Sequence, residues 1–504
     1  MKRRTFLAAG SAVAATAAWP ARGQDLAVVP VRIEMRKPVG TLPHIWAESV
    51  GSDRAAITLR EGWRRDLDRW RNETGLKRVR FHGIFNDELG VYAPSTVNRA
   101  KDAPPNFQNI DEVYDGLLAH GVSPLVELGF MPNRLASGPQ TFGFYNGNVT
   151  PPTTNEAWAA FIKTFVVHLI ERYGIAEVRR WPFEVWNEPN LPSFWTGTQG
   201  QYFEMYKATS VAIKSIDPKL QVGGPVTSAI SWLPEFLGYC AANQAPVDFV
   251  ATHVYAGDNQ KRLFGERRMP QYDVIPEAMA LARQQIDASP LAGRPLWLTE
   301  WSSDSPAMIA HIIKGCLPHC QVMSQWTLSM AYEELGVSNY LLKEGDGGFG
   351  MMVRGIPKPS FNSYKLLHAL GDTRLAAEGP ALASRRADGS TAALVWNLAD
   401  VPQPSGIPGM TRTRPVNGDA KRLDIELVGA RPGQAVRVRL VDQQHGSPLP
   451  AWRAMGSPQY PTREQLALLR KSAEIAPAKV MKVNARGRLV LDLAPEGLAL
   501  LELA

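Results

Sequence analysis

Two periods of hydrophobicity alternate along most of the chain. Short runs rich in β-branched and aromatic residues occur at 44–51 (HIWAESVG), 76–82 (LKRVRFH), 123–130 (SPLVELGF) and 182–188 (PFEVWNE), and again at 220–225, 248–255, 295–300 and 323–329. Each run reads as a strand. Between them lie longer stretches with apolar residues at helical spacing, such as EGWRRDLDRWRNET, with Leu67 and Trp70 on one face, and EAWAAFIKTFVVHLIERYG. A strand followed by an amphipathic helix, repeated through eight strands, predicts an α/β protein: a (β/α)8 TIM barrel with inserted loops.

Beyond the helix SYKLLHAL the pattern changes. After Gly371 and Asp372 come short alternating strands, TAALVWNLAD, RLDIELVG, AVRVRLVD and RLVLDLAP, separated by turns rich in Pro and Gly. They predict a C-terminal β-sandwich accessory domain over 371–504, with a helical insert at 461–475 capped by Thr462. The strand-like VVPVRIEM at 28–35 is expected to pair with that sandwich. The expected division is a leader at 1–24, an N-terminal strand segment at 25–37, the barrel at 38–370 and the sandwich at 371–504.

The leader is expected from the first residues, MKRRTFLAAGSAVAATAAWPARGQ, which have a basic head, an Ala-rich apolar stretch and a small-residue tail. Arg3 and Arg4 ahead of Thr5, Phe6 and Leu7 resemble a twin-arginine export signal, so the expected destination is periplasmic or secreted. The leader also accounts for much of the charge: Lys2, Arg3, Arg4 and Arg22 lie in it, against a formal total of +7. What remains gives no reason to expect nucleic acid or a membrane as partner of the mature form. A homo-oligomer is compatible with the composition. Cys240, Cys316 and Cys320 are too few for a disulfide framework. Cys316 and Cys320 have His311 and His319 nearby but lack a second cluster at ligand spacing, so neither metal nor cofactor is expected.

In a TIM barrel the chemistry sits where strands end, at the C-terminal face. The expected strand ends are polar: His82 on the second, Asn187 and Glu188 on the fourth, His253 and Tyr255 on the sixth, Glu300 on the seventh, with Trp326 on the eighth. Burying such groups without partners is costly, of order 2 to 7 kcal/mol for even an uncharged one. Strands four and seven stand on opposite sides of an eight-stranded ring, so the Glu188 and Glu300 carboxyls are expected to face each other. Two facing carboxyls are the minimum for cleaving a glycosidic bond, one protonating the leaving oxygen while the other stabilises or attacks the anomeric carbon. Repulsion and burial should keep one protonated near neutrality. The segments at 83–110 and 131–155 are long enough to close one end of a cleft and favour exo action.

FEVWNEPNLPSFWTG at 183–197 and PLWLTEWSS at 295–303 resemble the acid/base and nucleophile segments of glycoside hydrolase family 39. That family includes β-xylosidases and α-L-iduronidases and places its acid on strand four and its nucleophile on strand seven. The similarity runs on through RFHGIFNDE, KLQVGGP, ATHVY, QWTLSMAYEE and GIPKPSFNSYKLL to PQYPTREQLALLR at 458–470. It implies a retaining exo-glycosidase, a β-xylosidase acting on xylo-oligosaccharides without a cofactor, with Glu188 as acid/base and Glu300 as nucleophile. It further implies Asn187 on the sugar 2-hydroxyl, Tyr255 orienting Glu300, and His82 and His253 on hydroxyls or carboxylates. Trp326 would be an apolar platform, and Glu333 and Glu334 would bind distal hydroxyls. Phe194 and Trp195 would shape the leaving-group side or pack into the core. Two stretches depart from the pattern: Ser302, Ser303, Asp304 and Ser305 replace an expected aromatic, and KEGD precedes Gly347 where an aromatic and a histidine are usual. The sugar is therefore open to other readings, an α-L-arabinoside, a uronide or an exopolysaccharide. A catalytically silent carbohydrate-binding protein is the rival of another class.

Overall fold

Eight parallel strands close into a ring in chain order: Ser49–Arg54, Arg78–His82, Ser123–Leu128, Pro182–Val185, Gln221–Ser228, Phe249–His253, Leu296–Trp301 and Val322–Gln325. They are called here barrel strands one to eight, and strand eight returns to pair with strand one through Ser324 and Ser49. The computed structural model describes residues 26–92, 103–329, 349–402 and 415–503, so the expected leader lies outside the described residues. Helices Glu61–Thr74, Gln108–Ala119, Asn155–Tyr173, Gln199–Ile216, Leu233–Ala242, Gln271–Asp287, Pro306–Cys316 and Pro359–His368 follow the strands in turn.

The local chemistry of these elements is simple. Glu61–Thr74 buries Trp63, Leu67, Trp70 and Thr74 along one face at helical spacing. It stops at Gly75, whose φ of 70° is the left-handed cap that glycine adopts without strain. Thr154 opens the third helix by accepting the Ala157 N–H, and Thr198 with Gln201 forms a reciprocal capping box at the start of the fourth.

Strand boundaries differ from expectation at both ends of the barrel. Residues Ile45–Ala47 form a 3-10 turn beneath the barrel, and strand one begins only at Ser49. Strand four ends at Val185, because Trp186 and Glu188 take left-handed φ values of 76° and 44°. Those conformations are unfavourable for residues with a Cβ, and they swing Asn187 and Glu188 off the ladder onto the barrel's rim. The Glu188 N–H is caught by the Val226 carbonyl of strand five at 2.9 Å.

The tail forms a nine-stranded, mostly antiparallel sheet that curls into a sandwich over its own core. Val436 and Val438 near one edge and Leu489 and Leu491 at the other belong to one buried cluster with Val31 and Ile33. The strand Ala27–Thr41 lies inside this sheet, parallel to Lys421–Val428 and antiparallel to Thr373–Glu378. The strand Thr391–Trp396 shows how the two domains join. Ala393 and Val395 point into the sandwich, whereas Ala392, Leu394 and Trp396 belong to the barrel's cluster, as the two-residue period of a strand dictates. The helical insert is Arg463–Ser472, capped by Thr462 with Gln465 as its reciprocal partner, and it packs Leu469 against Trp452 and Ile356.

Candidate active site

Arg80 lies at the centre of the site. Arg80 and His82 are two apart on strand two and so share its inward face. The Arg80 side chain is fully buried and donates through Nε to Glu184 Oε2 at 2.7 Å, through Nη1 to Glu300 Oε2 at 3.2 Å and through Nη2 to Asn187 Oδ1 at 2.9 Å. Nη2 also lies 2.9 Å from Glu127 Oε2 on strand three. Burial alone would weaken the Arg80 cation, but the three carboxylates outweigh it and the guanidinium stays charged.

Glu300 is gripped on both oxygens. Oε2 faces Arg80, and Oε1 accepts the Tyr255 hydroxyl at 2.6 Å. Glu188 stands across from it, with Oε1 3.1 Å from His253 Nδ1, which is itself 3.8 Å from Glu300 Oε2. One oxygen of each carboxyl and a ring nitrogen of His253 all lie within 4.8 Å of one another. That is the tightest setting for a cation among the described residues, but Arg80 and Tyr255 already direct donors at both oxygens of Glu300.

Burial pushes the Glu300 carboxyl above the ordinary carboxylate range, and the Glu188 charge adds to it. Burial also holds His253 down at about 3, so the imidazole is neutral. Glu300 receives one cationic and one hydroxyl donor, which favour its ionised form against burial.

The remaining sequence candidates distribute around this centre. His82 Nδ1 lies 2.8 Å from Glu127 Oε2, and its ring lies 4.7 Å from Trp326. Trp326 packs with Tyr255 and Phe349 in a separate small apolar cluster. Phe194 is half-buried with its ring 6.1 Å from His82, whereas Trp195 is buried against Trp186 as core. Glu333, Glu334 and the KEGD stretch lie outside the described residues. Of the four residues after the TEW segment, Ser303 accepts the Ser305 N–H and Ser305 caps the helix Pro306–Cys316. His311 pairs with Asp273 at 2.8 Å instead of facing the cysteines, and all three cysteines are buried and free.

Sequence reasoning missed Arg80, Glu127 and Glu184. For Glu127 and Glu184 a signal was present, since each is a lone charge inside an otherwise apolar strand, where an unpaired ion is too costly to bury; Arg80 shares its strand with Arg78 and did not stand out. What the strings could not show is that the three charges meet.

Known proteins resemble this chain over most of its length. The profile of glycosyl hydrolases family 39 matches residues 29–490. A β-xylosidase of Geobacillus stearothermophilus is 35% identical over 84% of this chain and 85% of its own. A second β-xylosidase, from Caldicellulosiruptor saccharolyticus, is also 35% identical, over 90% of this chain and 93% of its own. The crystal structure of a monomeric β-xylosidase from Caulobacter crescentus CB15 superposes with a TM-score of 0.81 at 34% identity, covering 94% of this chain and 99% of that one. A closed parallel barrel with paired rim carboxyls, a sandwich beside it and a match over nearly the whole described length lead to one conclusion: this chain is a glycoside hydrolase and belongs to glycosyl hydrolases family 39.

Proposed function

We propose that the protein is a retaining exo-β-xylosidase that releases xylose from xylo-oligosaccharides. The observation that carries the reading is the approach of Glu188 and Glu300 to within 4.8 Å, the short spacing of double displacement instead of the wider gap that admits a water between carboxyls. Glu300, ionised, attacks the anomeric carbon while Glu188 gives its proton to the departing glycosidic oxygen. Water then loses a proton to Glu188 and attacks the same carbon, expelling Glu300 and releasing the sugar with its configuration retained.

The other side chains fit supporting roles. Asn187, whose amide oxygen is held by Arg80, presents its NH2 group to the sugar 2-hydroxyl, a contact that strengthens as charge develops at the ring. Tyr255 and Arg80 orient Glu300, neutral His253 orients Glu188, and His82, held by Glu127, is placed to meet a sugar hydroxyl. Trp326 is the apolar platform under the pyranose. Glu333 and Glu334 are proposed for the distal hydroxyls on the family resemblance. The names of the two curated relatives support xylose as the sugar released. Export of the mature protein to the periplasm or beyond is proposed from the first 24 residues. No helix among the described residues is long and apolar enough to cross a membrane.

The test is product analysis on xylo-oligosaccharides and a panel of nitrophenyl glycosides, with Glu188→Ala and Glu300→Ala as controls. The proposal expects xylose as the first-formed product, in the β configuration, and loss of turnover in both variants. Release of arabinose or a uronic acid in preference would overturn the sugar. Inverted product, or activity persisting in Glu300→Ala, would overturn the mechanism.

A further inference from the structure

The loop after barrel strand six carries a third carboxyl into the neighbourhood of the reactive pair. Two residues past His253, the chain turns at Tyr255, whose backbone N–H donates to Asp258 Oδ2 at 2.9 Å while the Asp258 N–H returns to the Tyr255 carbonyl at 3.0 Å. This closed turn sets where the Tyr255 ring emerges, and the ring's hydroxyl ends on Glu300 at 2.6 Å. The turn is also tied to strand seven, since the Val254 N–H donates to the Glu300 carbonyl at 3.2 Å. Asp258 thus stands one residue contact away from the group proposed as nucleophile, yet is placed to touch no sugar through that contact.

We propose that Asp258 is a positioning residue: it fixes the Tyr255 turn whose hydroxyl end holds Glu300. The inference rests on the assignment of Glu188 and Glu300 above. Three charged groups act on the Asp258 carboxyl through space: Glu188, Arg262 on the short helix Gln260–Phe264, and Glu300 on strand seven. Arg262 also donates to Ser231 Oγ at 2.9 Å, which draws it toward the loop after strand five. Burial, assisted by the two glutamates, raises the Asp258 carboxyl to about 7, against the opposing pull of the Tyr255 N–H and Arg262. Asp258 is therefore neutral at the acidic end of the working range and charged at the alkaline end.

Asp258→Asn keeps an oxygen for the Tyr255 N–H and removes only the charge, so it preserves the turn. Asp258→Ala removes both. The expected result in Asp258→Asn is kcat/KM at the optimum within about threefold of the parent, because the acceptor for the Tyr255 N–H is retained. In Asp258→Ala, kcat falls about tenfold at every pH, the scale of a slightly misplaced reacting group, with KM little changed. Asp258→Ser, which retains a neutral acceptor, replaces the Asn variant if that one folds poorly. Parent kcat in Asp258→Ala, or a loss in Asp258→Asn as large as that in Asp258→Ala, would overturn the proposal. Glu188→Ala and Glu300→Ala measured beside them separate the two readings: if those retain turnover, the carboxyl assignment has failed rather than the role of Asp258.

Discussion

Replacing Arg80 by Met, a side chain of similar length without charge, tests whether one cation holds the barrel's interior together. The guanidinium lies within 3.2 Å of carboxylate oxygens on Glu127, Glu184 and Glu300, and all of these side chains are buried. Without it the acids must either remain ionised in a poorly solvated interior or take up protons. Breaking a buried ion pair from one side costs about 3 to 5 kcal/mol. Protonation sets a second bound: carrying one Glu from its ordinary pKa near 4.3 to a proton-bound state at pH 7 costs about 4 kcal/mol, at about 1.4 kcal/mol per pH unit. The carboxyls of the variant have folded-state pKa values raised above the unfolded ones. Stability is therefore fully present below about pH 4.3 and is lost as pH rises toward the folded value. Urea unfolding of both proteins at pH 5 and pH 7 should show a deficit of about 4 kcal/mol at pH 7 that shrinks to about 1 kcal/mol at pH 5. A deficit that is the same at both pH values, or below about 1 kcal/mol at pH 7, would refute the electrostatic account. In the folded fraction, loss of the donor on Glu300 should also lower kcat/KM about 30-fold or more, the scale of a charged hydrogen bond.

Three further outcomes follow from the site. Tyr255→Phe removes the hydroxyl that lies 2.6 Å from Glu300 Oε1, and steady-state kinetics should show kcat/KM down about tenfold or more with KM little altered; an unchanged kcat would show that the hydroxyl does not matter to Glu300. Gly51→Ala would put a Cβ 2.6 Å from the Trp326 ring and 3.3 Å from its Cα, so it should displace the proposed platform and raise KM about threefold or more, while parent kinetics would remove Trp326 from the sugar site. His253, held near 3, stays neutral while the unfolded chain takes up a proton below about 6.5, so it steepens the loss of stability on acidification by up to about 1.4 kcal/mol per pH unit. Unfolding free energies of His253→Gln between pH 4 and 6.5 should fall less steeply than those of the parent, and equal slopes would contradict a neutral His253.

Much of this protein is local and therefore readable from the chain. The alternation of strand and helix, the change of texture after Gly371 and the cap at Thr462 depend on neighbours a few residues apart, and the ring of eight strands follows from their repetition. The polar strand ends at His82, Asn187, Glu188, His253 and Glu300 stood out for the same reason, as groups that an apolar sheet does not bury without partners. Tertiary structure decided the rest. Strand four stops at Val185 because of two left-handed residues whose cost is borne by contacts with strand five, and no period in PFEVWNE announces them. Arg80 is one of many arginines in the string, and only barrel closure brings Glu127, Glu184 and Glu300 around it. Periodicity tells which way a side chain faces; which charges share a dry interior, and so which protons they keep, depends on distances set by strands more than a hundred residues apart.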